Sequence, residues 1–153
     1  MDPGTRVTGW GLIEVENRTV RAIDSGCLRP ARGLPRPRAL ASLAGQLEAL
    51  IERVAPASVV IETPFLGKYA RAAIGLAETR GALLATLGRW GGEVFEYEPA
   101  VVKSTVVGYG TAEKRQVAYV VGRMLDVGGE IGHDAADALA LALCHVRHAR
   151  LDL

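Results

Sequence analysis

Aromatic side chains are scarce, with two Phe, two Trp and four Tyr among 153 residues, so any core must be built from aliphatic side chains rather than stacked rings. Only two cysteines occur, Cys27 and Cys144, far apart and in no metal-ligand spacing. That excludes a disulfide scaffold or zinc module and predicts two reduced, buried side chains without a role. No apolar run approaches the length of a membrane span, and the start, MDPGTRVTG, lacks the basic and apolar segments of a signal peptide, so a cytoplasmic location is expected. Neither sign of charge dominates, the net being +1, which weighs against a generic polyanion binder. What is present is a 49% hydrophobic chain long enough for one domain with a real core, and no internal repeat or second domain is visible.

The pattern along the chain is mixed. Residues 6 to 14 and 19 to 28 read as two antiparallel strands around a Glu16-Asn17-Arg18 turn, with Gly9 and Gly11 expected to weaken or bend the first. RPARGLPRPR, 29 to 38, is read as an exposed basic loop excluded from helix by its prolines. Apolar positions from Arg38 to Val54 keep helical spacing, and ASVVIE, 57 to 62, forms a buried strand delivering Glu62 to the sheet's carboxyl edge, where open sheets bind ligands. TPFLGKY, 63 to 69, follows as a loop, then a helix over 70 to 90 whose Gly75, Gly81 and Gly88 suit close packing. EVFEYE, 93 to 98, reads as an edge strand. A helix capped by Thr111 and ended by Gly128-Gly129 precedes a final alanine-rich helix. The order predicts an α/β fold, a mixed sheet with an antiparallel meander first and helices on both faces.

The densest chemistry lies in IGHDAADALAL, 131 to 141. Asp134 and Asp137 stand three apart and so share a helix face, and the surrounding alanines allow that helix to lie very close to whatever it covers. Two carboxylates pressed onto a neighbour need a cation between them, and a hard, oxygen-seeking ion such as Mg2+ is the natural one. On the pair alone, a solvated first turn favourable to the helix dipole is the better reading; Asp2 and Glu62, which the topology can bring to the same place, shift the balance.

Five segments, DPGTRVTGWG (2 to 11), SGCLR (25 to 29), VIETPF (60 to 65), VVKSTVVGYGTAEKRQV (101 to 117) and HDAADALALAL (133 to 143), resemble the RuvC-type Holliday-junction resolvases, in register over nearly the whole chain. The resemblance implies a ribonuclease-H-like fold and a homodimeric, Mg2+-dependent crossover junction endodeoxyribonuclease. Such an enzyme makes paired symmetric cuts in four-way DNA during recombination and repair. It also implies Asp2, Glu62, Asp134 and Asp137 as ligands of two metal ions, with Mn2+ able to substitute, and Lys103 and Lys114 around the scissile phosphate. Phe65 matches a position that stacks on an unpaired base. Lys68, Arg115, Arg32 and Arg36 complete the expected DNA contacts; helix 70 to 90 is the expected dimer contact, and a RuvA- and RuvB-type branch-migration helicase complex the expected partner. Setting four of the 17 acidic residues against metal leaves 13 facing 18 basic ones, so the outer surface can be locally basic. His133 is read as a cap or surface residue.

One departure is clear: members of the family carry several residues of strand before the first aspartate, whereas only Met1 precedes Asp2. The expectation is a truncated or misassigned start, with a charged amino terminus beside the metal site. Two rivals remain at this stage. Asp2-Pro3-Gly4-Thr5 also resembles the phosphate hairpin of actin-like phosphotransferases, although the chain is short for two lobes. A catalytically silent junction binder would use the basic loop and Phe65 without cutting.

Overall fold

The computed structural model describes residues 1–63, 70–127 and 132–149, without the side chains of residues 70 and 71. Phe65, Lys68, Gly128 and Gly129 lie outside the described residues.

Strands β1 (Thr8–Glu16) and β2 (Thr19–Leu28) form an antiparallel hairpin. Asn17 and Arg18 turn it with φ of 48° and 66°, the left-handed pair whose twist matches that of the flanking strands. Leu12 pairs with Asp24 but Ile13 with Ala22, so Ile23 is an extra, bulged residue, and it is exposed. A one-residue insertion swaps the faces of everything beyond it. Asp24, Gly26 and Leu28 consequently share one face of the sheet, where Asp24 meets Arg53 and Gly26 lies against the Trp10 ring. Cys27 is turned to the opposite face.

Strands β3 (Ser58–Glu62) and β4 (Glu93–Tyr97) pair in parallel. Met1 and Asp2 join the two pairs into one surface: Asp2 exchanges both backbone hydrogen bonds with Gly9, each 2.9 Å, while the Met1 nitrogen donates to Val60 O at 2.5 Å and the Glu62 N–H donates to Met1 O at 3.1 Å. The strand order is therefore β2, β1, residues 1–2, β3, β4, with β4 at the edge and its Glu93 and Glu96 exposed, as expected.

Helices α1 (Arg36–Val54) and α2 (Ala70–Trp90) cover one face. Their Leu43, Leu47, Ile51, Leu83 and Leu87 pack with Leu28, Val59 and Ile61. Val60, which points to the other side by strand alternation, packs with α3 (Pro99–Val107), α4 (Lys114–Met124) and α5 (His133–His148). Helix α5 is buried over most of its surface between Ala135 and Val146, as a largely apolar helix must be. Gly9 and Gly11 do more than weaken β1: a Cβ at Gly9 would overlap the Asp134 carbonyl, and one at Gly11 would stand 2.7 Å from Leu139. Their missing side chains let α5 touch the sheet backbone.

Four sequence expectations need correction. Helix α1 begins at Arg36, inside the supposed basic loop, because a proline in the first helical turn loses no hydrogen bond that a helix could make. Helix α3 had no counterpart in the sequence pattern, since its β-branched run masks helical periodicity. The bounds of α4 differ too: it ends at Met124, ahead of the expected Gly128-Gly129 stop, and its cap is Glu113, not Thr111; the Glu113 side chain accepts from the Gln116 backbone while the Gln116 side chain accepts from the Glu113 N–H at 2.8 Å. Finally, Cys144 is buried but Cys27 only partly so. No helix among the described residues is long and apolar enough to cross a membrane. A cavity of about 500 Å³ between β1 and β3 is lined largely by apolar groups such as Leu47, Ile51 and Val146, and includes none of the candidate carboxylates.

Candidate active site

Each acidic residue arrives by a different route. Asp2 is fixed by its bridge to Gly9, and Glu62 is the last residue of β3, held beside Met1. Asp134 and Asp137 come from the first two turns of α5, seated on the same Gly9 that pairs with Asp2. The glycine is thus the floor shared by the two sources of carboxylate.

Crowding and burial make this an expensive place for negative charge. The Glu62 carboxyl is pushed up to about 8, first by burial, then by the charge of Asp2 and a hydrogen bond with it. Asp2 is also raised, again chiefly by burial, with Asp137 adding repulsion and Lys114 offsetting it. At neutral pH the Asp2–Glu62 pair therefore shares a proton as a unit. Lys114 is the counter-charge present: its Nζ is 2.7 Å from Asp137 Oδ2, and that bond raises its own pKa. Asp134 turns one carboxylate oxygen toward Cys27, the thiol standing 4.0 Å from Oδ2.

The Met1 nitrogen lies buried beside this cluster, and desolvation pushes its amine down to about 5.

The structure thus brings Asp2, Glu62, Asp137 and Lys114 within electrostatic reach of one another, with Asp134 at their margin. Lys103 sits half-buried on α3 and does not figure among the charges acting on Asp2 or Glu62. Arg115 and Arg32 are exposed. Arg36 does not keep the open position expected of a DNA contact: its guanidinium donates to Glu78 at 2.7 Å, Thr79 Oγ1 at 2.9 Å and Gly75 O at 2.5 Å, clamping the start of α1 to α2. His133 is an exposed first-turn residue of α5, with Gly132 as the cap.

Two neighbours went unassigned in the sequence. Arg80 donates to the Glu62 carbonyl at 3.2 Å and pairs with Glu96, holding the end of β3 from the α2 side. Cys27 reaches Asp134 only because of the Ile23 bulge, which strand alternation alone does not reveal.

Among the described residues no three acidic, histidine or cysteine side chains already form an ion-binding group. Their chemistry nevertheless fits a divalent cation. Hard oxygen donors whose ionisation is opposed by burial and mutual repulsion are relieved by positive charge placed between them, and Lys114 shows that the position accepts a cation.

A mixed sheet sheathed by helices, with carboxylates at the carboxyl end of β3 and the head of a helix pressed on the sheet, defines a ribonuclease-H-like domain. The profile described as crossover junction endodeoxyribonuclease RuvC matches residues 1–145, and the chain belongs to that family. The RuvC of Chloroflexus aurantiacus is 42% identical over 146 residues, covering 95% of this chain and 89% of the relative. The structure of Thermus thermophilus RuvC in complex with Holliday junction substrate superposes with a TM-score of 0.89 at 27% identity, over 98% of this chain and 92% of that one. The yeast mitochondrial Holliday junction resolvase Ydc2 shares the fold, with a TM-score of 0.70 at 12% identity over 98% and 81%.

Proposed function

We propose that this chain resolves four-way DNA junctions as an endonuclease, hydrolysing phosphodiester bonds with divalent metal, Mg2+ or in its place Mn2+, held by Asp2, Glu62, Asp134 and Asp137. The observation that carries the reading is the raised Asp2–Glu62 pair beside the Lys114–Asp137 ion pair, a set of oxygens that favours a cation. Family membership makes the phosphotransferase and silent-binder alternatives the weaker ones.

Bound divalent ions would supply a water made nucleophilic and neutralise charge on the leaving oxygen. The chain's own residues do the rest. Asp2, Glu62 and Asp137 would hold such ions as carboxylates, and Lys114, paired with Asp137, is the cation that the chain itself supplies there. Lys114 at the mouth of the site would, as an ammonium, stabilise the charge that develops on the scissile phosphate in the transition state. Lys103, Phe65 and Lys68 are assigned to the DNA strand on the resemblance alone, and Arg32 by its exposure.

Two cuts in a two-fold substrate call for a two-fold enzyme. The outer face of α2 suits that role: Ile74, Ala77, Gly81, Ala85 and Gly88 are exposed at helical spacing, small enough to let a second copy approach closely. A RuvA- and RuvB-type branch-migration complex as partner, action in recombination and repair, and a cytoplasmic location accompany this reading.

The test is cleavage of a synthetic four-way junction with Mg2+ by the parent and by Asp137→Asn. Paired symmetric nicks, lost on the order of 10³-fold in the variant while junction binding persists, are expected. Binding without nicking by the parent would return the account to a silent binder.

A further inference from the structure

Helix α4 leaves the active site at Lys114 and runs across the surface for 11 residues, about 16 Å at 1.5 Å per residue. Its inner stripe, Val117 and Val121, is buried in the core. Its outer stripe is Arg115, Tyr119 and Arg123, one turn apart from one another and all exposed. Tyr119 is 70% exposed, more than the other large hydrophobic side chains among the described residues. A tyrosine has a ring to pack on a sugar and a hydroxyl to donate to a phosphate, and nothing in its own fold engages it.

The charge on this face is also left unanswered. The five ion pairs among the described residues employ Arg36, Arg53, Arg80, Arg89 and Lys114, not Arg115 or Arg123. Residues 114–124 contain no acid, and the one acid at the helix start, Glu113, is engaged as its cap. Lys114 and Arg115 occupy the first turn, the positive end of the helix dipole, where cations are disfavoured. Lys114 has Asp137; Arg115 has no anion among the described residues.

We propose that this face, Arg115, Tyr119 and Arg123, seats the phosphate backbone of one duplex arm as it leaves the cleavage site. The proposal rests on the junction-resolving reading and extends it from the cut to the arm. Two guanidinia about 12 Å apart along the helix, each able to take a phosphate through two N–H groups, flank the tyrosine and so read a backbone rather than a base. Continuity with Lys114 selects DNA over a protein partner, because the same strand that presents its phosphate there must continue outward over α4.

The experiment measures junction binding in the absence of divalent ions, by fluorescence anisotropy across a salt series, for the parent, Arg123→Gln with Tyr119→Ala, Arg115→Gln with Arg123→Gln, and Arg115→Lys with Arg123→Lys. Junctions with long arms and with arms cut back to a few base pairs are the probes, and thermal midpoints confirm folding. On long arms the two-glutamine variant should bind roughly 10-fold more weakly, with a log–log salt slope smaller by about 2, while the two-lysine variant keeps the slope. On short arms the variants and parent should bind alike. An unchanged long-arm affinity and slope, or an equal loss on both junctions, would overturn the proposal, and the first would leave the face to a protein partner. A parent that binds no junction at all would instead overturn the function on which it rests.

Discussion

The two faces of the sheet are covered in opposite ways. On one, α1 and α2 stand off on Leu43, Leu47, Ile51, Leu83 and Leu87, side chains that fill the space between helix and strand. On the other, α5 rests the Asp134 carbonyl directly against Gly9 and Leu139 against Gly11. The first arrangement buries apolar area, about 25 cal/mol for each Å², and carries no site chemistry of its own. The second also buries apolar side chains such as Leu139, Leu141 and Leu143, and in addition places two aspartates of α5 near Asp2 and Glu62. Close approach, bought by removing side chains, is how this fold converts packing into a reactive site.

The sharpest way to break the comparison is to give Gly9 a side chain. Gly9→Val cannot keep both Cβ and the Asp134 carbonyl in place, so α5 must lift and the carboxylates separate. Junction cleavage at a temperature where the variant remains folded should fall on the order of 100-fold. Leu47→Ala on the opposite face should show the reverse, a loss of roughly 2–5 kcal/mol of stability in denaturant titration with the cleavage rate retained below the new midpoint. If both variants lose activity in proportion to stability, the two faces do not differ as described.

A third prediction concerns pH. Without metal, the raised Glu62 contributes stability that is present below its ordinary 4.5 and lost as pH passes about 8. The depressed Met1 amine does the opposite, its contribution present above 8.0 and lost as pH falls through about 5. The amine thus opposes Glu62 and the likewise raised Asp2 in the parent, whose thermal midpoint should not climb between pH 5 and 8. In Glu62→Gln the amine is opposed only by the raised Asp2, and stability should climb with pH over that interval more steeply than in the parent. A variant that climbs no more steeply than the parent would show that Glu62 is not the protonated member of the pair.

The smallest effect is expected at Arg36. Its bonds to Glu78, Thr79 and Gly75 join α1 to α2, so Arg36→Gln should cost about 1–2 kcal/mol and leave the salt dependence of junction binding unchanged. A flatter salt slope would restore it as a phosphate contact.

Much of this was legible in the residues. The hairpin, the β3 strand ending in Glu62 and the alanine-rich helix bearing two aspartates follow from periodicity of two or 3.6 and from composition. What escaped depended on tertiary context. Helix α3 is written in valines that read equally as strand, and Gly9 and Gly11 look like defects until α5 is laid across them. The Ile23 bulge that turns Cys27 toward Asp134 leaves no mark in the alternation of TVRAIDSGCL. Arg36, one of four arginines in a proline-rich stretch, looks like a free cation, and only its position against α2 makes it a clamp.

The measurement that bears most directly on the central claim is Mn2+ affinity, followed by the ion's paramagnetic signal, in the parent, Gly9→Val and Leu47→Ala. If contact between α5 and the sheet builds the metal site, Gly9→Val should bind roughly 10–100-fold more weakly and Leu47→Ala like the parent. Equal affinity in the parent and Gly9→Val would contradict the account.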